Sequence, residues 1–263
     1  MLKKVVALLI VSALAFHRVA AEGIPSVSSP PIDDAPLAIS EQLVLVVTRD
    51  WDAVNGVMRR FARTNGQAAW SQSAWKQVGP DIPVVVGRHG LGWGRGLNPP
   101  YHLPGPVKKE GDGKSPAGIF RLSSAFGLAA PGAVKNIRLP YRQLTDGVEC
   151  VDDVKSEHYN SIVDRAATAR PDWDSSEKMR AITVQYRLGI VVDHNTDPRE
   201  AGDGSCIFLH IWLDSKTPTT GCTAMAPQQM EALITWLNPA DHPVLVQLPE
   251  KAYKHLKKNL RLP

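Results

Sequence analysis

The stretch "CIFLHIWL" (residues 206–213) alternates large apolar residues with Cys206 and His210, and "DSKTPTT" (214–220) and "GCTAM" (221–225) follow it. Strict alternation predicts a strand with Cys206, Phe208 and His210 on one face. The polar run is expected to reverse the chain, and Gly221 gives backbone freedom just before Cys222. Eleven residues lie between His210 and Cys222, so the question is whether the two side chains meet as base and nucleophile. A thiol is nucleophilic only as thiolate, and a histidine within reach supplies both the ion pair and a proton donor. Thr220, Gly221, Thr223 and Ala224 are small, which leaves room for an acyl group and offers backbone N–H groups for an oxyanion. A core histidine with an idle thiol is the competing reading.

Working outward, most segments read as strands. "QLVLVVTR" (42–49) is a continuous apolar run, expected to be a buried strand. Gly56 interrupts "DAVNGVMRRFART" (52–64), which reads as a turn into a short strand, and "DIPVVVG" (81–87) is another. "GLGWGRG" (90–96) has neither the spacing of a P-loop nor a following lysine-serine or lysine-threonine, so its glycines are assigned to turns and bulges. "GDGKSPAG" (111–118) is a loop running into the strand "IFRL", with Asp112, Lys114 and Ser115 read as turn-stabilising. Residues 150–180 are polar and weakly periodic and are expected to form a helix-containing insertion. "APQQMEALITWLNP" (226–239) carries a helical apolar pattern at Met230, Leu233, Ile234 and Leu237, and "HPVLVQLP" (242–249) reads as a last strand. The class is mainly β with a few helices (α+β), in one domain.

Lys3 and Lys4, an apolar run from Val5 to Phe16, and Val19-Ala20-Ala21 have the layout of a secretory signal peptide over 1–21. Residues 22–41, rich in proline and serine, read as a flexible lead-in, 42–250 as the one folded domain and 251–263 as a basic, solvated tail. Lys3, Lys4 and Arg18 lie in the leader; without them 27 basic residues face 26 acidic ones. That balance gives no reason to expect nucleic acid or an anionic surface as partner. The expected location is the periplasm or outside the cell, with no membrane contact after cleavage, as a monomer.

Three cysteines, Cys150, Cys206 and Cys222, are an odd number for an exported protein. One disulfide and one reactive thiol would account for them, and if Cys222 is the nucleophile, Cys150 and Cys206 are left to pair; the connectivity stays open. His89, His102, His158 and His194 are scattered, with no HxxxH or CxxC spacing, so neither a metal nor a cofactor is expected. Trp212, Tyr159, Asn160 and His194 are candidate substrate contacts, each with a plainer reading as a core, capping or loop residue.

"LHIW…TPTTGCTAM", together with Gly111, Asp112, Ser115, Pro116, Gly118 and Phe120 upstream, resembles the L,D-transpeptidase catalytic domain, the YkuD-like family. The resemblance runs from about Gln42 to Glu250. It points to a less characterised branch, with Thr220 where a histidine or serine is usual and Ala224 where asparagine or arginine is usual. It implies a β-sandwich-like fold and a cysteine that attacks the peptidoglycan stem peptide between diaminopimelate and D-alanine. Cys222 then matches the nucleophile and His210 the base, with Thr220 and Gly221 before the nucleophile. The Ile211 backbone carbonyl would orient the imidazole. The acyl group would pass to an amine or to water, without a cofactor. An L,D-carboxypeptidase or amidase, or a non-catalytic wall-binding protein, would carry much the same sequence.

Overall fold

Alternate residues of the strand β1 (Gln42–Thr48) enter two different cores, which is why its apolar run is unbroken. Val44 and Val46 join one cluster, while Leu43 and Leu45 join another. The computed structural model describes residues 37–63, 75–97 and 103–263. The expected signal peptide, most of the lead-in and His102 lie outside the described residues.

The other strands of the main sheet are β2 (Asn55–Arg63), β3 (Trp75–Gln77), β4 (Ile82–Val85), β5 (Leu91–Trp93), β6 (Ser115–Gly127) and β7 (Tyr141–Gln143). After an insertion carrying β8 (Val148–Val151), β9 (Ile162–Asp164) and β10 (Ser176–Lys178), the main sheet resumes. It continues with β11 (Leu188–Val192), β12 (Phe208–Ile211), β13 (Thr223–Met225) and β14 (Val244–Pro249). The order β1-β14-β6-β11-β12-β13-β4-β2 returns to β1 through β2, so the sheet is barrel-like. Among the described residues the fold is mostly β with two helices, in line with the sequence reading, and the main sheet is barrel-like rather than visibly two-layered. Pairing β1 on both sides, parallel to β14 and antiparallel to β2, satisfies edges that a sandwich leaves open.

Helix α1 (Pro227–Trp236) buries Met230, Leu233 and Ile234 against the first cluster, which contains Ile207, Leu209 and Ile211 of the β12 region. Its apolar spacing is the one read from the sequence. Helix α2 (Glu250–Leu256) corrects the expectation of a solvated tail. Ala252, Leu256, Leu260 and Leu262 pack with Leu43 and Leu45 on the second face of β1, and the Trp75 indole N–H donates to the Arg261 carbonyl. Basic residues between those apolar positions hid the buried face.

The insertion at 150–180 is also corrected. Its described residues form no α-helix; β10-β8-β9 make a small separate sheet with two 3-10 turns, Arg165–Ala167 and Met179–Ala181. Strands of three or four residues are too short to display a period. The little sheet is held instead by the buried Glu149 carboxylate, which takes hydrogen bonds from Arg165 (3.0 Å), Trp173 (2.8 Å) and Ser176 (2.7 Å) and an ion pair from Lys178 (2.6 Å). Burial pushes this carboxyl up, but those four donors outweigh it and bring it to about 2.

Among the described residues no helix is long and apolar enough to cross a membrane.

Candidate active site

β12 and β13 are adjacent and parallel, with Leu209 opposite Thr223 and His210 opposite Ala224. The loop between them therefore does not reverse the chain, as expected, but returns it to the start of a neighbouring strand. Asp214 shapes that return by accepting the N–H groups of Lys216 and Thr217. The Thr219 strand bridge to Gly87 then ties it to the end of β4. The parallel register leaves Cys222 beside Phe208, on the side of the sheet where Phe208 and His210 point.

That side is aromatic. Phe126, Tyr186, Phe208 and His210 meet edge to face at centroid distances of 5.0 to 5.5 Å, and Cys222 belongs to the same buried cluster. His210 and Cys222 line one cavity of about 300 Å³, with Glu177, Tyr186, Trp212 and Thr220 also on its wall. His210 Nδ1 lies 2.8 Å from the Ile211 carbonyl oxygen. A carbonyl only accepts, so Nδ1 carries the proton and Nε2 is the free acceptor.

The thiol and the imidazole share the cavity without a direct hydrogen bond. Cys222 Sγ accepts the Phe208 N–H at 3.3 Å and donates to the Cys206 carbonyl at 3.4 Å. Burial pushes the thiol well above its ordinary value and the Glu177 carboxyl adds to this; the Phe208 N–H, the Lys108 ammonium and the Tyr186 phenol act the other way. Burial likewise lowers His210 to about 4 against a smaller opposing effect of the Ile211 carbonyl. The resting pair is neutral thiol and neutral imidazole, and a bound acyl donor must supply the drive for proton transfer.

The Cys222 backbone is clamped. Ser115 Oγ, fully buried, accepts the Gly87 N–H at 2.8 Å and donates to the Cys222 carbonyl at 2.8 Å. Thr219 Oγ1 donates to the same carbonyl at 2.5 Å and accepts the Gly221 N–H at 3.2 Å. The Gly221 N–H is therefore engaged and is not a ready oxyanion donor. Thr223 Oγ1 donates to Gln247 of β14, and Thr220 is exposed at the cavity wall. Asp112 takes Lys108 Nζ and the N–H groups of Lys109 and Lys114, shaping the turn that delivers Ser115.

Cys150 and Cys206 form a disulfide, with Cα atoms 6.0 Å apart. Cys206 holds a left-handed backbone, φ 55°, unusual for a residue with a Cβ. Asn160, itself at φ 55°, secures it: its Oδ1 accepts the Cys206 N–H, while its Nδ2 donates to the His194 and Asn195 carbonyls. Asn160 and the disulfide line a different cavity, of about 390 Å³.

Of the candidate substrate contacts, only Trp212 reaches the cysteine cavity. Tyr159 is buried, donating to Glu110 Oε2 at 2.6 Å and accepting the Gly204 N–H. His194 is 1 % exposed and lies against Phe120; its Nδ1 accepts the Arg95 N–H and its Nε2 donates to the Asp203 carbonyl. Burial brings it to about 4. These are structural residues because every polar atom named is already spent within the protein. Gly94 explains part of the glycine-rich loop: a Cβ there would sit 2.6 Å from Pro116 and 2.9 Å from the His194 ring. Sequence reasoning missed Glu177, Tyr186 and Thr219, and read Ser115 as a turn residue and part of the upstream motif, not as a clamp on the Cys222 carbonyl.

A lone buried cysteine, a histidine keyed by a backbone carbonyl and a shared cavity at the edge of a closed sheet define a cysteine site without a triad carboxylate. Residues 64–246 match the YkuD family, the L,D-transpeptidase catalytic domain, and the chain belongs to that family. No curated protein matches the chain. The match begins after β2, so β1 and β2 complete the barrel from outside the matched segment, and α2 packs on β1 beyond its end.

Proposed function

We propose that the protein is an exported cysteine L,D-transpeptidase acting on peptidoglycan stem peptides. The observation that carries this is the convergence of Cys222 and His210 on one cavity, with His210 Nδ1 engaged by the Ile211 carbonyl. In this reading the acyl donor displaces the thiol from the Cys206 carbonyl toward His210 Nε2. The thiol proton moves to Nε2 as sulfur attacks the stem-peptide carbonyl. The imidazolium then gives that proton to the departing D-alanine amine, leaving a thioester on Cys222. An acceptor amine attacks the thioester in the second half, with water as the hydrolytic alternative. Trp212, half-buried on the wall, is the aromatic surface available to the donor.

Export rests on the leader at 1–21, and the Cys150–Cys206 bond supports an oxidising location. Intact mass of the mature protein with a carbapenem, and with Cys222→Ala, tests the reading. One adduct that disappears in the variant is expected. An unmodified protein with a free Cys222 thiol, together with no turnover of a tetrapeptide stem, refutes it and favours the wall-binding alternative.

A further inference from the structure

Glu177 stands on the wall of the Cys222 cavity without a cation. It lies on β10 directly opposite Cys150 in the β8–β10 register, so the disulfide that anchors Cys206 also anchors the strand carrying Glu177. Its Oε2 accepts the Tyr186 hydroxyl at 2.5 Å, and that phenol interacts in turn with the Cys222 thiol. The groups acting on it are the Tyr186 phenol, the Cys222 thiol and, through space, the carboxyls of Asp152 and Glu110, while the Lys108 ammonium that acts on Cys222 is paired with Asp112. His210 looks into the same cavity as a neutral ring. Asp152 Oδ1 is buried with no hydrogen-bond partner. Among the described residues no ion pair neutralises Glu177, whereas Glu149 on the neighbouring strand β8 has Arg165 and Lys178. A carboxyl kept short of cations beside a nucleophile is costly unless a ligand brings the positive charge.

Resting on the transpeptidase reading above, we propose that Glu177 is the catalytic base for the acceptor half of the reaction, binding a primary ammonium and taking its proton. The acceptor arrives as R–NH₃⁺ paired with the Glu177 carboxylate. Glu177 removes one proton, and the nitrogen lone pair attacks the Cys222 thioester carbon to form the C–N bond. Collapse breaks the C–S bond, whose electrons return to sulfur. The second N–H proton passes through His210 to the thiolate and restores the thiol, while Glu177 releases its proton to water. Burial, aided by Asp152 and Glu110 and opposed by the Tyr186 hydrogen bond, raises Glu177 to about 7. A base is most effective when it titrates near the working pH. Tyr186 acts as a positioning residue through the carboxyl it holds.

The two half-reactions separate this role from the rest of the site. Acyl-enzyme formation from a stem tetrapeptide ending in diaminopimelate-D-alanine is followed by quenched intact mass, and transfer to the matching tripeptide amine by product mass. For Glu177→Gln, acylation within a few-fold of wild type and transfer lower by about 10² to 10⁴ are expected, the range of general-base contributions. Wild-type transfer rises through an inflection near pH 7 that Glu177→Gln lacks, while Tyr186→Phe keeps an inflection at shifted pH. Equal losses in both half-reactions, or an unchanged inflection in Glu177→Gln, overturn the role of Glu177 and leave the transpeptidase reading standing. No acyl-enzyme in the wild type overturns both.

Discussion

The Ser115 hydroxyl donates to the Cys222 backbone carbonyl at 2.8 Å across 107 residues of sequence, while accepting the Gly87 N–H. One side chain thus ties the "GDGKSPAG" loop, the end of β4 and the cysteine into a single buried arrangement. Ser115→Ala leaves the Gly87 N–H without a partner and the Cys222 carbonyl with Thr219 alone, in a site with no access to solvent, at a cost of about 1–3 kcal/mol. Denaturant unfolding should show that loss, and carbapenem acylation of Cys222 should slow at least tenfold as the clamp loosens. Unchanged acylation would mean that Thr219 alone holds the carbonyl.

Removing the disulfide should loosen the floor under the nucleophile. Cys150 and Cys206 are 56 residues apart, a loop whose closure contributes about 4 kcal/mol on the chain-entropy account. The Cys150→Ser/Cys206→Ser double variant should unfold at lower denaturant by about that amount. It should also lose amine transfer more than acylation, because β10 with Glu177 is freed. A variant as stable as wild type contradicts the first half of this, and unaltered transfer the second.

His194 and His210 both titrate near 4 when folded, against 6.5 when exposed. Above pH 6.5 both are neutral folded or unfolded and cost nothing. As pH falls from 6.5 toward 4 the unfolded chain binds protons that the folded one refuses, so stability declines. At 1.36 kcal/mol per unit, each histidine removes about 3 kcal/mol by pH 4. Urea midpoints at pH 7 and pH 4.5 should show the fall, and His194→Gln should have a clearly shallower one. Parallel pH dependences for the two proteins would rule His194 out as a contributor.

Glu177 works in the opposite direction. Its carboxyl is raised from 4.5 to about 7, so ionising it costs folded-state stability above pH 7 and nothing below pH 4.5. Glu177→Gln should therefore be more stable than wild type at pH 8, by up to about 3 kcal/mol, with the gap closing at pH 4. A stability gain accompanied by lost transfer is the pattern of a residue kept for chemistry. A Gln variant less stable at pH 8 would instead show that the carboxylate is satisfied where it stands.

His210 and Cys222 could be read together because both sit in a segment with local signals: alternation in "CIFLHIWL", a polar loop and Gly221. The long strands and α1 were legible for the same reason, since β1 and α1 each show an apolar pattern over a full element. The small sheet was not, because β8, β9 and β10 are held by Glu149, its partners and the disulfide, all of them long-range. Glu177 shares that fate: nothing in "DSSEKMR" distinguishes it from a solvated acid until β10 folds over Cys222. Closure of the sheet was not legible because it rests on β14 pairing with both β1 and β6, partners far away in sequence that no local pattern encodes. His194 and Tyr159 looked like cleft residues because sequence does not show how completely their polar atoms are used.

β14 lies between β1 and β6, so the first and last strands of the barrel are neighbours. The ring stays open, with β1 and β6 exposing unpaired edges, until the segment around Val244–Pro249 has left the ribosome. Barrel closure therefore waits on β14, and such sequence-distant pairing slows it. A chain halted before residue 244 would be a sheet with two unpaired margins, one along β1 and one along β6.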